Sequence, residues 1–182
     1  MYYALVHFPD IEIGPIQRFR KKYDPSFNLV EPHITVVFPV PDQVGRPVLE
    51  RHIKLVLDDW QPFDIEISGT RRSWDHWLLL TLKGGNENVI QLNRDLYTGI
   101  LAPFRRDDLG FIPHLGVGLF VKDGDYNFKD PKALDLDRNA FDKARKEAEA
   151  LDMPYHSAFN RLDLLELNNE MSDLNKVKTY PL

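Results

Sequence analysis

The chain has 182 residues, 43% of them apolar and 28% charged, the balance of a soluble globular protein with one sizeable core or two closely packed lobes. A formal net charge of -5 argues against a surface built to grip long nucleic acid, while a small nucleotide or a nucleic-acid end still fits a locally basic cleft. There is no cysteine, which excludes disulfides, thiolate nucleophiles and cysteine-based zinc sites and agrees with a cytoplasmic setting. The opening MYYALVHFPDIEIG has too short an apolar run for a signal peptide, and no segment approaches the roughly 20 apolar residues of a membrane span.

Residues 2–8 read as a strand, and 13–23 as a short helix with Pro15 in its first turn and Arg18, Arg20, Lys21 and Lys22 toward its end. A loop follows to Pro32, then a strand from His33 to Val40. Residues 47–60 carry Val48, Ile53, Leu55, Val56 and Trp60 on roughly one side, the pattern of an amphipathic helix. Phe63, Ile65 and Ile67 alternate with Asp64, Glu66 and Ser68, the period of a half-buried strand. Strand 77–82 ends at Gly84-Gly85. Residues 88–101 read as a helix, 102–112 as a polar connection, and 114–121 as a strand. Residues 138–151 form a highly charged helix facing solvent on most sides. A leucine-rich strand over 162–167 and a short last strand over 177–182 complete the chain, with no interdomain linker evident.

Two segments share a pattern. Pro32-His33-Ile34-Thr35-Val36 and Pro113-His114-Leu115-Gly116-Val117 each set a histidine at the head of an apolar strand, 81 positions apart. On a strand, residues i and i+2 share a face, so His33 lies beside Thr35. The same period sets His114 beside Gly116 and Gly118. Histidine titrates near neutrality, so one copy can act as base while the other acts as acid, and a hydroxyl two residues on can donate to a phosphate oxygen. Two such units across a cleft would clamp a phosphodiester. The second copy lacks the hydroxyl, because Gly116 stands where the first has Thr35. The competing reading of Thr35 is a β-branched strand former.

PHITVVF and PHLGVGL resemble the paired His-x-Thr/Ser motifs of the 2H phosphoesterase superfamily, which includes 2′-5′ RNA ligase-like proteins and cyclic nucleotide phosphodiesterases. The strands YYALVHF, WLLLTL and RLDLLEL, the central strand from Phe63 to Gly69 and the final YPL extend the resemblance over nearly the whole chain; Gly116 departs from it. The resemblance implies a single α+β domain over 1–182, a bilobal, duplicated β/α arrangement with two mainly antiparallel sheets around a central cleft. It implies a hydrolase opening a cyclic (2′,3′-type) or 2′-5′ phosphodiester of a nucleotide or RNA terminus, or a ligase forming one. His33 and His114 would be the acid/base pair in unassigned order, and Thr35 the phosphate donor. No cofactor and no metal is expected. The partner is a nucleotide or RNA-terminus substrate, with no membrane, and the chain is expected to be a monomer. A non-catalytic or weakly active nucleotide- or RNA-binding module is the alternative.

Gly116, Tyr3, Trp74 and Arg71 are further candidates to line the cleft. Tyr2 and Tyr3 alternate, so one should face it, although core packing is the more ordinary role for a strand tyrosine. Arg71-Arg72 are read as following the central strand, and Arg105-Arg106 as preceding the second motif, both in loops where solvated charge is the default. The loop around Trp74 and Trp77 is the expected specificity element. His7 could line the cleft; His52, His76 and His156 are read as structural or solvated. None of the six histidines has a recognised metal-ligand spacing.

Overall fold

A computed structural model describes residues 1–43, 45–108, 110–122 and 135–182 of the chain. The described residues form eight strands and four α-helices: β1 (Tyr2–His7), α1 (Gly14–Tyr23), β2 (Ile34–Pro41), α2 (Arg46–Leu57), β3 (Phe63–Arg72), β4 (Trp77–Gly84), α3 (Asn86–Leu96), β5 (His114–Leu119), α4 (Arg138–Ala148), β6 (Tyr155–Phe159), β7 (Arg161–Leu167) and β8 (Leu174–Pro181). Short 3₁₀ turns follow α3 at Gly99–Phe104 and α4 at Glu149–Leu151.

The strands form one sheet in the order β6-β3-β4-β5-β2-β1-β7-β8, and every neighbouring pair runs antiparallel. This corrects the expectation of two sheets. The α+β character holds, but the two histidine strands join at Ile34 and Leu115 and so stitch two four-stranded halves into one surface. Strand order is symmetric about that junction. The sheet must also curl: β6 lies on one edge and β7 in the opposite half, yet only Asn160 separates them, a span of about 7 Å at most. His7 at the end of β1 stacks on Phe159 of β6 with ring centroids 4.0 Å apart, and Phe159 stacks on Phe63 at 4.9 Å, which seals the curl.

The sheet has two unlike faces. One carries Leu5, Ile34, Val36, Ile67, Leu78, Leu80, Leu115 and Val117, which pack with Ile16 and Phe19 of α1, Leu49 and Ile53 of α2, Val89 and Leu92 of α3, and Phe141 and Ala144 of α4 in the main core. Each helix offers one apolar stripe, so α4 is solvated except along Phe141, Ala144 and Ala148. Fully burying a Leu- or Ile-sized side chain is worth about 1.5–3 kcal/mol, which makes this face the main source of stability. The other face holds a much smaller cluster, Ala4, Val6, Leu165 and Leu167, and carries both motif histidines.

Several readings change at the edges of elements. Tyr155–Phe159, read as loop, is strand β6, and His156 lies on it. Arg71 and Arg72 belong to β3 rather than to a following loop, because the ladder to β4 continues through Arg71–Leu79 and Arg72–Leu78. The helix read over 88–101 ends at Leu96 before a separate 3₁₀ turn.

Candidate active site

His33 is the residue immediately before β2, and His114 opens β5. The facing pair Ile34–Leu115 decides how the motifs meet. In an antiparallel ladder, one step in each direction sets Thr35 against His114 and His33 against Gly116, all four on the face away from the helices. Residues so opposed have Cα atoms about 4.5–5.5 Å apart. The two motifs therefore interlock: Thr35 lies beside the histidine of the other motif, and Gly116 lies beside His33. The pairs Thr81–His114 on β4 and Val6–Thr35 on β1 extend that row across the sheet.

The imidazoles are held alike. His33 Nδ1 lies 2.7 Å from the Glu31 carbonyl and His114 Nδ1 lies 2.6 Å from the Ile112 carbonyl, in both cases the residue two positions back. A carbonyl only accepts, so Nδ1 carries the hydrogen in each ring and Nε2 is left to exchange protons. No other side chain bonds either Nε2 among the described residues, and the Thr35 hydroxyl is equally uncommitted there. Pro32 and Pro113 supply the tight entry that brings these carbonyls back over the rings.

Both rings are partly open to solvent at one edge and otherwise enclosed by protein. That burial is the largest influence on both and disfavours the charged form. His33 is pushed down to about 4, with the charges of Arg20 and His114 lowering it further and the Glu31 bond and Asp24 opposing. His114 is also pushed down by burial, opposed by the Ile112 bond and by the negative charge of Asp75. The charged surroundings thus differ: the Arg20–Asp24 pair lies near His33, with the lowering influence of Arg20 the larger, and an anion alone lies near His114.

Those neighbours come from outside the motifs. Arg20, in the last turn of α1, is 1% exposed and fully bonded: Nε to Asp24 at 2.6 Å, Nη1 to Gln17 at 3.0 Å and Nη2 to the Val30 carbonyl at 2.8 Å. Asp24 in turn accepts from the Ser26 N–H and hydroxyl. This network pins the loop from Asp24 to Glu31 that delivers His33. Asp75 sits in the β3–β4 turn, where it accepts from the Ser73 hydroxyl.

The remaining candidates separate. Gly116 does face the cleft, and Trp77 leans over it: a Cβ at residue 116 would lie 3.4 Å from Trp77 Cε3 and 3.6 Å from Cζ3. Gly118 leaves that face. Leu79 pairs with Gly116 but Leu78 pairs with Gly118, so Val117 is an extra residue and Gly118 turns toward Tyr23 and Phe120 in the core. Tyr3 is in the main core, 5% exposed, with its hydroxyl on Glu166 at 2.9 Å; Tyr2 is the one that packs with the cleft-side cluster. Burial and Glu166 push the Tyr3 phenol up to about 12. Trp74 projects from the β3–β4 turn, 47% exposed. His7 is buried on the core side, its Nδ1 on the Arg161 carbonyl. Phe8, not singled out in the sequence, brings its ring centroid 5.8 Å from that of His33.

Arg71 shares the cleft-side face, since it pairs with Leu79 and Leu79 with Gly116. It lines a recess of about 280 Å³ with Thr81, Leu82, Asn86, Ile90, Phe111, Ile112 and Pro113, immediately beside His114. Among the described residues, no group of three His, Asp or Glu side chains is arranged to hold a metal ion, and no helix is long and apolar enough to cross a membrane.

The fold has counterparts. The whole chain superposes on Escherichia coli LigT complexed with 3′-AMP, covering 97% of that chain with a TM-score of 0.56 at 13% identity, and on a crystal structure of a phosphoesterase with a TM-score of 0.54 at 14% identity. In sequence it is 26% identical over 132 residues to a Bacillus licheniformis protein named "Putative phosphoesterase", spanning 70% of this chain and 76% of that protein. A Bacillus cereus protein of the same name is 27% identical over 132 residues, spanning 69% and 74%. The model of the 2′-5′ RNA ligase superfamily matches residues 8–169, which include both histidine motifs, and the chain belongs to that family of phosphoesterases.

Proposed function

We propose that the chain is a metal-independent phosphodiesterase that opens a 2′,3′-cyclic or 2′-5′ phosphodiester at a nucleotide or RNA terminus. The observation that carries this reading is the pair of matched imidazoles, each with Nδ1–H on its own i−2 carbonyl and Nε2 uncommitted, on directly paired strands. The unlike charges around the two rings support one order of roles. Arg20 works against a proton on His33, so His33 is the general base; Asp75 favours one on His114, so His114 is the general acid. His33 Nε2 takes a proton from water as the water oxygen attacks phosphorus. The bond from phosphorus to the leaving ribose oxygen breaks, and His114 Nε2–H delivers its proton to that oxygen. A phosphomonoester and a free hydroxyl result, and solvent restores both rings. Thr35 donates to a nonbridging oxygen. The recess beside His114 takes the ribose and chain beyond the phosphate, where the exposed Arg71 meets the next anion.

The test is hydrolysis of the four nucleoside 2′,3′-cyclic phosphates by pure protein in EDTA, with His33→Gln and His114→Gln alongside. Each substitution should lower kcat by about 10²–10⁴, the range for a general acid or base. The parental kcat/KM should fall at acid pH as His33 protonates near 4 and fall again on the alkaline side as His114 deprotonates, with that limb below the ordinary 6.5. Undiminished activity in the double variant overturns the assignment. One observation favours a second reading: Gly116 leaves the phosphate a single motif hydroxyl, and loss of one such donor costs about 10²–10³ in rate. Tight nucleotide binding without turnover would make the chain a binding module of the same fold.

A further inference from the structure

We infer that Trp77 is a specificity-determining residue, an aromatic wall that takes the place of the second motif's hydroxyl and selects a substrate with a nucleobase on that side of the phosphate. The inference rests on the two-histidine reading of the cleft and goes beyond it in naming what recognises the organic part of the substrate.

Three observations carry it. First, Gly116 is not simply an empty position. The benzo edge of Trp77 lies at ordinary contact distance, 3.4–3.6 Å, from where a Cβ would be, so the volume of a side chain at 116 is already taken by carbon. Alanine fits there. Threonine adds two γ atoms to Cβ, and in the rotamers that direct one of them at Trp77 it presses on the ring. The glycine and the tryptophan are therefore a coupled pair: the indole at 77 restricts the rotamers open to a hydroxyl at 116.

Second, the backbone that carries the indole is held in place. Trp77 opens β4 where the β3–β4 turn closes, its N–H donating to Ser73 Oγ at 2.9 Å and its carbonyl accepting from the Ser73 N–H at 2.9 Å. Its neighbour His76 keeps a left-handed backbone, φ 72°, while the His76 carbonyl accepts from Phe120 N–H at 3.1 Å. A ring on so constrained a backbone meets a ligand without first losing much freedom.

Third, its place in the ladder is beside the base. Gly116 faces His33, so the ring edge over Gly116 borders the base and, through it, the phosphate. Phe8 stands on the opposite side of His33. Among the described residues, aromatic carbon thus borders the imidazole on both sides, a surface on which a planar heterocycle gains more contact than a second phosphate. Base–aromatic contacts recur wherever proteins hold single nucleotides because every base has a π-face.

The experiment is a calorimetric titration of adenosine 3′-monophosphate and of inorganic phosphate into the parent, Trp77→Ala, Gly116→Thr and the double variant, with thermal melts to verify folding and Trp77→Phe as a milder variant. Trp77→Ala should weaken adenosine 3′-monophosphate about tenfold and leave inorganic phosphate unchanged; Trp77→Phe should recover most of the loss. Gly116→Thr alone should weaken both ligands, yet in the Trp77→Ala background it should strengthen inorganic phosphate by several-fold, since the hydroxyl then has room. Equal effects of Gly116→Thr in both backgrounds, or equal loss of both ligands in Trp77→Ala, overturn the inference. Absence of hydrolysis alongside base-dependent binding overturns the catalytic reading alone, and absence of nucleotide binding by the parent overturns both.

Discussion

Asp24→Ala tests how the site is built. The carboxylate is 7% exposed and accepts from Arg20 Nε at 2.6 Å, from Ser26 N–H at 2.8 Å and from Ser26 Oγ–H at 2.6 Å. Removing it leaves the Arg20 guanidinium, 1% exposed, buried without its counter-ion, and breaking one side of a buried pair in this way costs about 3–5 kcal/mol. For a domain of this size, that loss lowers Tm by roughly 6–20 °C, and it is a large share of a total stability of about 5–15 kcal/mol. The same reasoning makes Arg20→Met with Asp24→Leu milder than Asp24→Ala, because the double variant removes both charges. Urea unfolding of all three proteins measures this directly. A loss under about 1 kcal/mol in Asp24→Ala, or a double variant less stable than the single one, would refute the claim that a desolvated ion pair holds the 24–31 loop. Activity carries a second readout. The double variant removes the lowering charge of Arg20 together with the opposing charge of Asp24, so the acid limb of kcat/KM should stay close to about 4, whereas Asp24→Ala alone should move it downward.

Burial holds the His7 imidazole down to about 4 from an ordinary 6.5. The unfolded chain therefore binds a proton near 6.5 that the folded chain refuses until about 4, and stability, full above 6.5, should fall with pH across that window at up to about 1.4 kcal/mol per unit. His33 and His114, also held down by burial, add to the slope in the same window, so His7→Phe should reduce it without abolishing it in urea unfolding at stepped pH, and an unchanged slope would refute the part given to His7. Gly85 has φ 70°, and a Cβ there would sit 2.5 Å from the Asp64 carbonyl oxygen and 2.8 Å from Ile65 Cγ2, so Gly85→Ala should cost about 2–4 kcal/mol, and a change within 0.5 kcal/mol by the same assay would contradict it. The buried Asn93 amide donates to the Val36 carbonyl at 2.7 Å in the strand that bears Thr35; Asn93→Ala should cost about 1–3 kcal/mol and accelerate amide exchange along β2.

Local pattern carried most of the elements. The period-2 alternation of Phe63–Ile67 appears where it was read, and so does the helix over 46–57, but its buried stripe is Leu49, Ile53 and Leu57, with Val48 and Leu55 exposed instead of facing the core. What eluded local pattern depends on partners distant in sequence. Arg71 and Arg72 look like loop because two exposed arginines do not alternate; the β4 ladder makes them strand. The alternation of Tyr2 and Tyr3 says that one of them faces the cleft, but only the helices packed on the Leu5 side decide that Tyr3 goes to the core. The extra Val117 that turns Gly118 away is a property of the β4–β5 register, invisible in PHLGVGL itself. Arg20 looked like a cation suited to a helix end, and its burial against Asp24 depends on the fold of the next ten residues.

On the proposed two-histidine mechanism, the symmetry of the strand order raises a chemical difficulty that the unlike charges around the two rings would answer. Two histidines related by a local two-fold through the Ile34–Leu115 pair, with matching Nδ1 bonds, present the same acidity, and two identical groups serve poorly as acid and base at one pH. The ladder therefore supplies position without polarity. Polarity comes from parts that do not obey the symmetry: Arg20 on α1 and Asp75 in the β3–β4 turn act on one ring each, with opposite sign. Gly116 with Trp77 breaks the symmetry again, this time in what surrounds the phosphate. On that proposal, paired strands keep a general reaction geometry while helix ends and turns set the direction of proton flow and the identity of the substrate.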